Sequence, residues 1–247
     1  MKDTIEKSSN FLCIGHRGTK GLAPENTLLS VRKALELGVS CVEIDVYLVE
    51  GHLIVFHDDM LERTTDGKGN VMEQSFEGLR GLDAGEGQQI PTLEEIFGLV
   101  NKRVGINIEL KGPATAQPVV DFIARYKKAG WTYDMLLVSS FNHRELKKVK
   151  ALDPHLKLGF LISDIPADKA LSFADMGAFS VHPSIKVVTA DFVKDAHARG
   201  LRVYVFTVNG KRDIIKAVEM GVDGVFTDYP DRVFKQIGAG DLNKRFL

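Results

Sequence analysis

The chain has 247 residues, of which 44% are hydrophobic and 26% charged, and its formal net charge is −1. That make-up belongs to a soluble globular chain, long enough for one large domain or two small ones. A near-zero charge excludes a global attraction to nucleic acid or to anionic membrane, and no apolar run approaches the ~20 residues that span a bilayer.

Taken in chain order, Met1 to Asn10 is polar with mixed charge and lacks the basic-then-apolar pattern of a secretory signal, which argues for a cytoplasmic protein. Apolar runs then alternate with amphipathic ones. Strands are expected at 11–15, 41–47, 104–110, 135–139, 157–162, 178–181, 201–207 and 223–227, with a helical segment after each. In the first helix Leu28, Val31 and Leu35 recur at helical spacing, Asn26 is placed to cap it and Gly38 to end it. The last helix follows Asp228-Tyr229-Pro230, with the proline near its first turn. Such alternation calls for parallel strands joined by crossovers, and about 250 residues is the usual size of a (β/α)8 barrel. A doubly wound open sheet is the competing architecture, but the chain has no Gly-rich dinucleotide fingerprint. No linker or low-complexity tract divides the chain, so 1–247 reads as a single barrel domain.

The rhythm breaks once, from Tyr47 to Ile90. Leu53 to His57 reads as an extra strand, and a polar stretch rich in glycine runs on to Gly87. A long insertion after a barrel strand belongs at the C-terminal face, where barrel enzymes keep their sites. Gly67-Lys68-Gly69 is not followed by the lysine and hydroxyl of a phosphate loop and is expected to be a hairpin turn. The two cysteines, Cys13 and Cys41, fall in strands with their side chains on opposite faces, so buried free thiols are expected rather than a disulfide.

The chemistry concentrates at a few strand ends. Gly15-His16-Arg17-Gly18 follows the first strand, and His57-Asp58 ends the extra one. In the second strand Cys41, Glu43 and Asp45 share one face and Val42, Ile44 and Val46 the other. The third strand repeats the pattern, with Asn107, Glu109 and Lys111 opposite Ile106, Ile108 and Leu110. Since the apolar face packs on the helices, the carboxylates should project into the barrel near its C-terminal mouth. Barrel interiors are mostly Val, Ile and Leu, and carboxylates buried there need neutralising. Arg17 and Lys111 are one source of positive charge. A divalent ion is the other, and an all-oxygen set from Glu43, Asp45 and Glu109 suits Mg²⁺ or Ca²⁺ over Zn²⁺. Three carboxylates against two cations leave −1; one divalent ion makes it +1, a better host for a phosphate. His16 and His57 can then serve as general acid and general base, in either order, and Arg17 offers a planar fork to phosphate oxygens. Glu25, Asn26 and Thr27 lie within reach of a substrate, although capping explains Asn26 equally well. His182, after the sixth strand, is a further candidate for the mouth. His52, His143, His155 and His197 read as surface or helix residues, and Phe141 and Phe206 as pocket or core.

These stretches, with Pro24-Glu25-Asn26-Thr27, Arg63-Thr64-Thr65, Pro91-Thr92-Leu93-Glu94-Glu95, Ser140-Phe141-Asn142, Thr207-Val208-Asn209 and Thr227-Asp228-Tyr229-Pro230, run in order along nearly the whole chain. Together they resemble the glycerophosphodiester phosphodiesterase family. The resemblance implies a barrel of the phosphatidylinositol phospholipase C type with the 47–90 region as its insertion. It implies His16 and His57 as the catalytic pair, Glu43, Asp45 and Glu109 as ligands of one divalent cation, and Arg17 and Lys111 as phosphate contacts. Phe206 stands where relatives often carry tryptophan, which keeps an aromatic wall for the glycerol or alcohol but removes an indole donor. The implied reaction is metal-dependent hydrolysis of a small glycerophosphodiester to sn-glycerol 3-phosphate and an alcohol. A lysophospholipase D on a similar barrel is the second reading, and a non-catalytic sensor of glycerophosphodiesters the third. Nucleic acid and stable membrane insertion are not expected, and the sequence leaves monomer and homodimer open.

Overall fold

Residues 11–237 are described in the computed structural model of the chain, so the polar lead Met1–Asn10 lies outside the described residues. Within them nine strands and nine α-helices follow in order: β1 (Leu12–Gly15), α1 (Leu28–Leu37), β2 (Cys41–Val49), β3 (His52–Val55), α2 (Phe76–Arg80), α3 (Leu93–Val100), β4 (Gly105–Leu110), α4 (Ala116–Lys128), β5 (Leu136–Ser140), α5 (His143–Leu152), β6 (Lys157–Ile162), α6 (Leu171–Asp175), β7 (Ser180–Pro183), α7 (Ala190–Ala198), β8 (Arg202–Val205), α8 (Lys211–Glu219), β9 (Gly224–Thr227) and α9 (Pro230–Ile237). All strands but β3 pair in parallel, and β1 bonds both β2 and β9, closing an eight-stranded (β/α)8 barrel.

Alternation sorts the strand residues as the sequence predicts. Val42, Ile44, Val46, Ile106, Ile108 and Leu110 face the helices in the main core, together with Cys13. Inside the barrel a smaller apolar plug gathers Leu12, Ile14, Cys41, Leu137, Tyr204 and Phe226. The two thiols therefore sit on opposite faces, free and buried. Burying each large aliphatic side chain is worth about 1.5–3 kcal/mol, and this apolar shell offsets the cost of the polar groups above the plug. The β2–β4 register sets Glu43 opposite Asn107 and Asp45 opposite Glu109.

Helix ends follow capping chemistry, with one correction. Gly38 ends α1 at φ 84°, but the residue that caps its start is Thr27, whose hydroxyl accepts from Ser30 N at 3.2 Å. Asn26 instead takes a left-handed conformation (φ 58°), tolerable for asparagine, and spends its side chain on Asp45.

The insertion begins as β3 folds back antiparallel on β2, pairing Val46 with Val55 and Val49 with His52. It has its own small core of Tyr47, Val49, Ile54, Phe56, Leu61, Val71, Leu79 and Ile90. The Gly67–Gly69 segment is a wider loop than a hairpin turn, closed by a bridge between Met60 and Asn70. Asn70 then caps a 3-10 turn over Val71–Glu73, which leads the chain away before a second strand can form. Gly67 packs so closely on Leu82 that a Cβ would lie 2.6 Å from Leu82 Cδ1. Among the described residues no helix is long and apolar enough to cross a membrane.

Candidate active site

The acidic side chains of β2 and β4 meet at the C-terminal mouth. Carboxylate oxygens of Glu43, Asp45 and Glu109 lie within 4.8 Å of one another, and all three residues are buried. Each is held from a different direction. Glu43 Oε2 accepts from Arg17 N at 2.7 Å, Asp45 Oδ2 accepts from Asn26 Nδ2 at 2.9 Å, and Glu109 Oε1 accepts from Lys111 Nζ at 3.1 Å. Burial, reinforced by the charges of Asp45 and Glu109, pushes the Glu43 carboxyl well above the usual carboxylate range. Burial and Asp45 push Glu109 up to about 7 even with Lys111 alongside. Glu43 Oε1 is buried with no hydrogen-bond partner. Crowded carboxylates with an unused oxygen are what a hard cation takes up, so the donor set fits Mg²⁺ or Ca²⁺.

Arg17 and Lys111 both approach this cluster. Arg17 Nη1 donates to Glu25 Oε1 at 2.5 Å and Nε lies 3.3 Å from Asp45 Oδ2. Lys111 Nζ stands between Glu109 and His57 Nε2, at 3.1 and 3.2 Å. Burial opposes both cations, but the surrounding carboxylates outweigh it and hold both pKa values above normal.

The two histidines share one arrangement. His16 Nδ1 donates to Asp228 Oδ1 at 2.6 Å, and His57 Nδ1 donates to Asp58 Oδ1 at 2.5 Å. An aspartate on Nδ1 fixes the tautomer and leaves Nε2 for chemistry. Burial, helped by Arg17 and Lys111, lowers the His57 pKa and favours the neutral imidazole. Asp228 is itself held by Asn209 Nδ2 at 2.6 Å. His16, Arg17, Glu43, His57, Glu109, Lys111, Phe141 and Phe206 all line one cavity of about 220 Å³; Asp45 is outside that lining but joins Glu43 and Glu109 in the acidic cluster, and Glu25, Asn26 and Thr27 do not line the cavity. Phe141 and Phe206 meet edge to face, with ring centroids 5.7 Å apart.

His182 does not join them. It lies within β7, wholly buried, with Nε2 2.8 Å from Ser180 Oγ and its ring filling the space over Gly159. Burial holds it neutral, with its pKa pulled down to about 3. The strand extends to Pro183, so the residue turns into the barrel below the cavity instead of following the strand to the mouth.

The model of the glycerophosphoryl diester phosphodiesterase family matches residues 16–232. The chain belongs to that family. This phosphodiesterase is 35% identical over 240 residues to a glycerophosphodiester phosphodiesterase of Caldanaerobacter subterraneus subsp. tengcongensis, covering 93% of this chain and 98% of the relative. It is 38% identical over 237 residues to a glycerophosphodiester phosphodiesterase of Bacillus altitudinis, covering 89% and 95%. Among solved structures, a phosphodiesterase of Oleispira antarctica in complex with the product sn-glycerol-3-phosphate superposes with a TM-score of 0.85 at 35% identity, over 92% of this chain and 97% of that one. The protein is thus an enzyme of the phosphoric diester hydrolase class.

Sequence reasoning assigned no role to four groups that shape the site: Asp58, Asp228, Asn209 and Arg63. Asp58 was legible as the neighbour of His57. Asp228 was legible only through closure: β1 pairs with β9, Gly15 opposite Thr227, and the next residue of each strand is His16 and Asp228.

Proposed function

We propose that this phosphodiesterase hydrolyses small glycerophosphodiesters, such as glycerophosphocholine and glycerophosphoethanolamine, to sn-glycerol 3-phosphate and an alcohol, with His16 and His57 as the acid–base pair. The observation that carries this reading is the pairing of two aspartate-backed histidines with a buried acidic triad in one cavity. The Oleispira antarctica relative, bound to sn-glycerol-3-phosphate, supports the product side.

Glu43, Asp45 and Glu109 would hold one Mg²⁺ or Ca²⁺. When bound, the ion supplies positive charge to the phosphate and favours ionisation of an attacking hydroxyl. Arg17 and Lys111 bring fixed positive charge to the phosphate oxygens, where charge grows in the transition state. One histidine takes the proton of the attacking hydroxyl as its oxygen bonds to phosphorus; that hydroxyl belongs to water, or to the neighbouring glycerol carbon, in which case water then opens the cyclic phosphate to glycerol 3-phosphate. The other gives its Nε2 proton to the departing alkoxide as the phosphorus–oxygen bond breaks. Phe141 and Phe206 wall the cavity against water on the alcohol or glycerol side. In this reading residues 1–247 act as one barrel domain in the cytoplasm, with the 47–90 insertion delivering His57.

The test is a substrate panel with purified protein. Glycerophosphocholine with Mg²⁺ or Ca²⁺ should release glycerol 3-phosphate, and exhaustive EDTA treatment should abolish the release. Turnover surviving EDTA would overturn the metal assignment. Preference for lysophosphatidylcholine over glycerophosphocholine would overturn the substrate class.

A further inference from the structure

Arg63 does not line the catalytic cavity, yet it touches both of the carboxylates that steer its key groups. On one edge of its guanidinium, Nε and Nη2 donate to the two oxygens of Asp58, the latter at 2.9 Å. On the other edge, Nη1 and Nη2 donate to the two oxygens of Glu25, at 2.8 and 2.7 Å. Asp58 in turn accepts from His57 Nδ1, and Glu25 accepts from Arg17 Nη1. We propose that Arg63, a residue of the insertion, is a positioning residue that sets His57 and Arg17 together, through Asp58 on one edge of its guanidinium and Glu25 on the other.

The chemistry asks for arginine. Two carboxylates converge here and would repel each other without a cation between them. Only a planar fork with donors on two edges serves both bidentately, and an ammonium does not. The Glu25 side chain is only 8% exposed, and besides Arg17 and Arg63 it is approached by Lys20 at 3.6 Å. The backbone under Arg63 is firmly anchored. Leu61 sits in the insertion core, and Leu61 O accepts from Thr65 N at 3.1 Å and Thr65 Oγ1 at 2.8 Å. With its edges taken by protein carboxylates and its side chain outside the cavity, Arg63 reaches the reaction only through other residues. Exposed ion pairs add about 0–1 kcal/mol to stability, so the reason to look for is geometric.

This inference rests on the reading of His57 as an acid–base group, and its test has a readout free of turnover. In ¹H–¹⁵N spectra the hydrogen-bonded Nδ1 protons of His57 and His16 are assigned by their loss in His57→Gln and His16→Gln. Arg63→Met should broaden or remove the His57 signal and leave that of His16 as the internal control. The same variant should lose about 10- to 100-fold in kcat/KM, the usual cost of removing an orienting partner. Combined with Asp58→Asn, it should cost less than the product of the two single losses. Arg63→Lys, which keeps the charge without the fork, should recover little activity, and it serves as the variant if the methionine protein melts early. An unchanged His57 signal, multiplicative losses in the double variant, or full activity in Arg63→Lys would each overturn the proposal. An inactive wild type that still shows the Arg63-dependent His57 signal would overturn the proposed reaction and leave the positioning role standing.

Discussion

His16 and His57 enter the same cavity from two kinds of structure. His16 stands at the end of β1 in the closed barrel, and its aspartate comes from the end of β9, 212 residues away in sequence. His57 stands on the insertion, just after β3, and its aspartate is the next residue, steadied by Arg63 from further along the same loop. One histidine takes its geometry from sheet closure, which the whole fold enforces. The other takes it from a local charge network whose outer member, Arg63, has 44% of its side chain exposed. The same aspartate-backed arrangement of a histidine can therefore rest on global topology at one end of a cavity and on a few polar contacts at the other.

The largest effects should ignore that difference. If both histidines carry protons, His16→Ala and His57→Ala should each lower kcat by about 10²–10⁴-fold, the span expected for general acid–base catalysis. A loss confined to one of them would break the symmetry between the two regions. The orienting aspartates should then separate them. Asp228→Asn and Asp58→Asn should both cost about 10- to 100-fold in kcat/KM. Only Asp228→Asn should also lower the melting temperature, because Asp228 joins His16 across the β1–β9 closure and Asn209 from the loop after β8, whereas the partners of Asp58 lie on the same insertion and Arg63 is exposed. Salt sharpens the contrast: the Debye length falls to about 3 Å at 1 M, so the exposed Asp58–Arg63 contacts are screened first. The activity ratio of wild type to Asp58→Asn should shrink with salt, while the ratio to Asp228→Asn holds.

A smaller effect concerns the acidic floor between the two histidines. In the metal-free protein Glu109 is pushed up to about 7, against an ordinary value near 4.5. The folded state then binds the proton more tightly than the unfolded one. Stability should be highest below about pH 4.5 on this account and decline as pH rises towards 7, by on the order of 3 kcal/mol. Mg²⁺ or Ca²⁺ should restore the loss, and its affinity should weaken as pH falls below about 7, because protons compete for the same oxygens. Melting curves across that range, with and without the ion, measure both. A metal-free protein that gains stability from pH 5 to 7 would show the triad to be neutralised by Arg17 and Lys111 alone.

Much of this arrangement was legible in the sequence because period-two alternation is a strong signal. Cys41, Glu43 and Asp45 on one face, and Asn107 and Glu109 on another, already imply an acidic interior, and the register of β2 against β4 delivers it. The strand that breaks the βα rhythm was visible for a different reason, as the short continuous apolar run Leu53 to Phe56. Other features depend on quantities that alternation does not carry. It gives a side chain's face but not its depth, so His182 could be read as near the mouth when it lies below it. It is silent on loop dihedrals, so the left-handed turn that sends Asn26 to Asp45 looked like a cap. It is equally silent on closure, which alone makes Asp228 the neighbour of His16.

The smallest expected effect tests what makes a histidine part of this site. His182 is a barrel residue like His16, but its partner is the Ser180 hydroxyl and no carboxylate among the described residues backs it. If an aspartate on Nδ1 and access to the cavity define the catalytic pair, His182→Leu should leave kcat/KM within about threefold of wild type, a barrier change under ~0.7 kcal/mol. Its effect should appear in acid instead. Burial pulls the His182 pKa down to about 3, so the neutral ring's contribution is complete above the unfolded value near 6.5 and drains away as pH falls from there towards 3. Leucine has no proton to take up, so the variant should unfold at lower pH than wild type, while losing about 1 kcal/mol at neutral pH with the Ser180 hydrogen bond. A large loss of turnover in His182→Leu with an unchanged acid midpoint would mean that the interior layer beneath the cavity takes part in the chemistry, and that barrel and insertion are not the only two regions supplying working histidines.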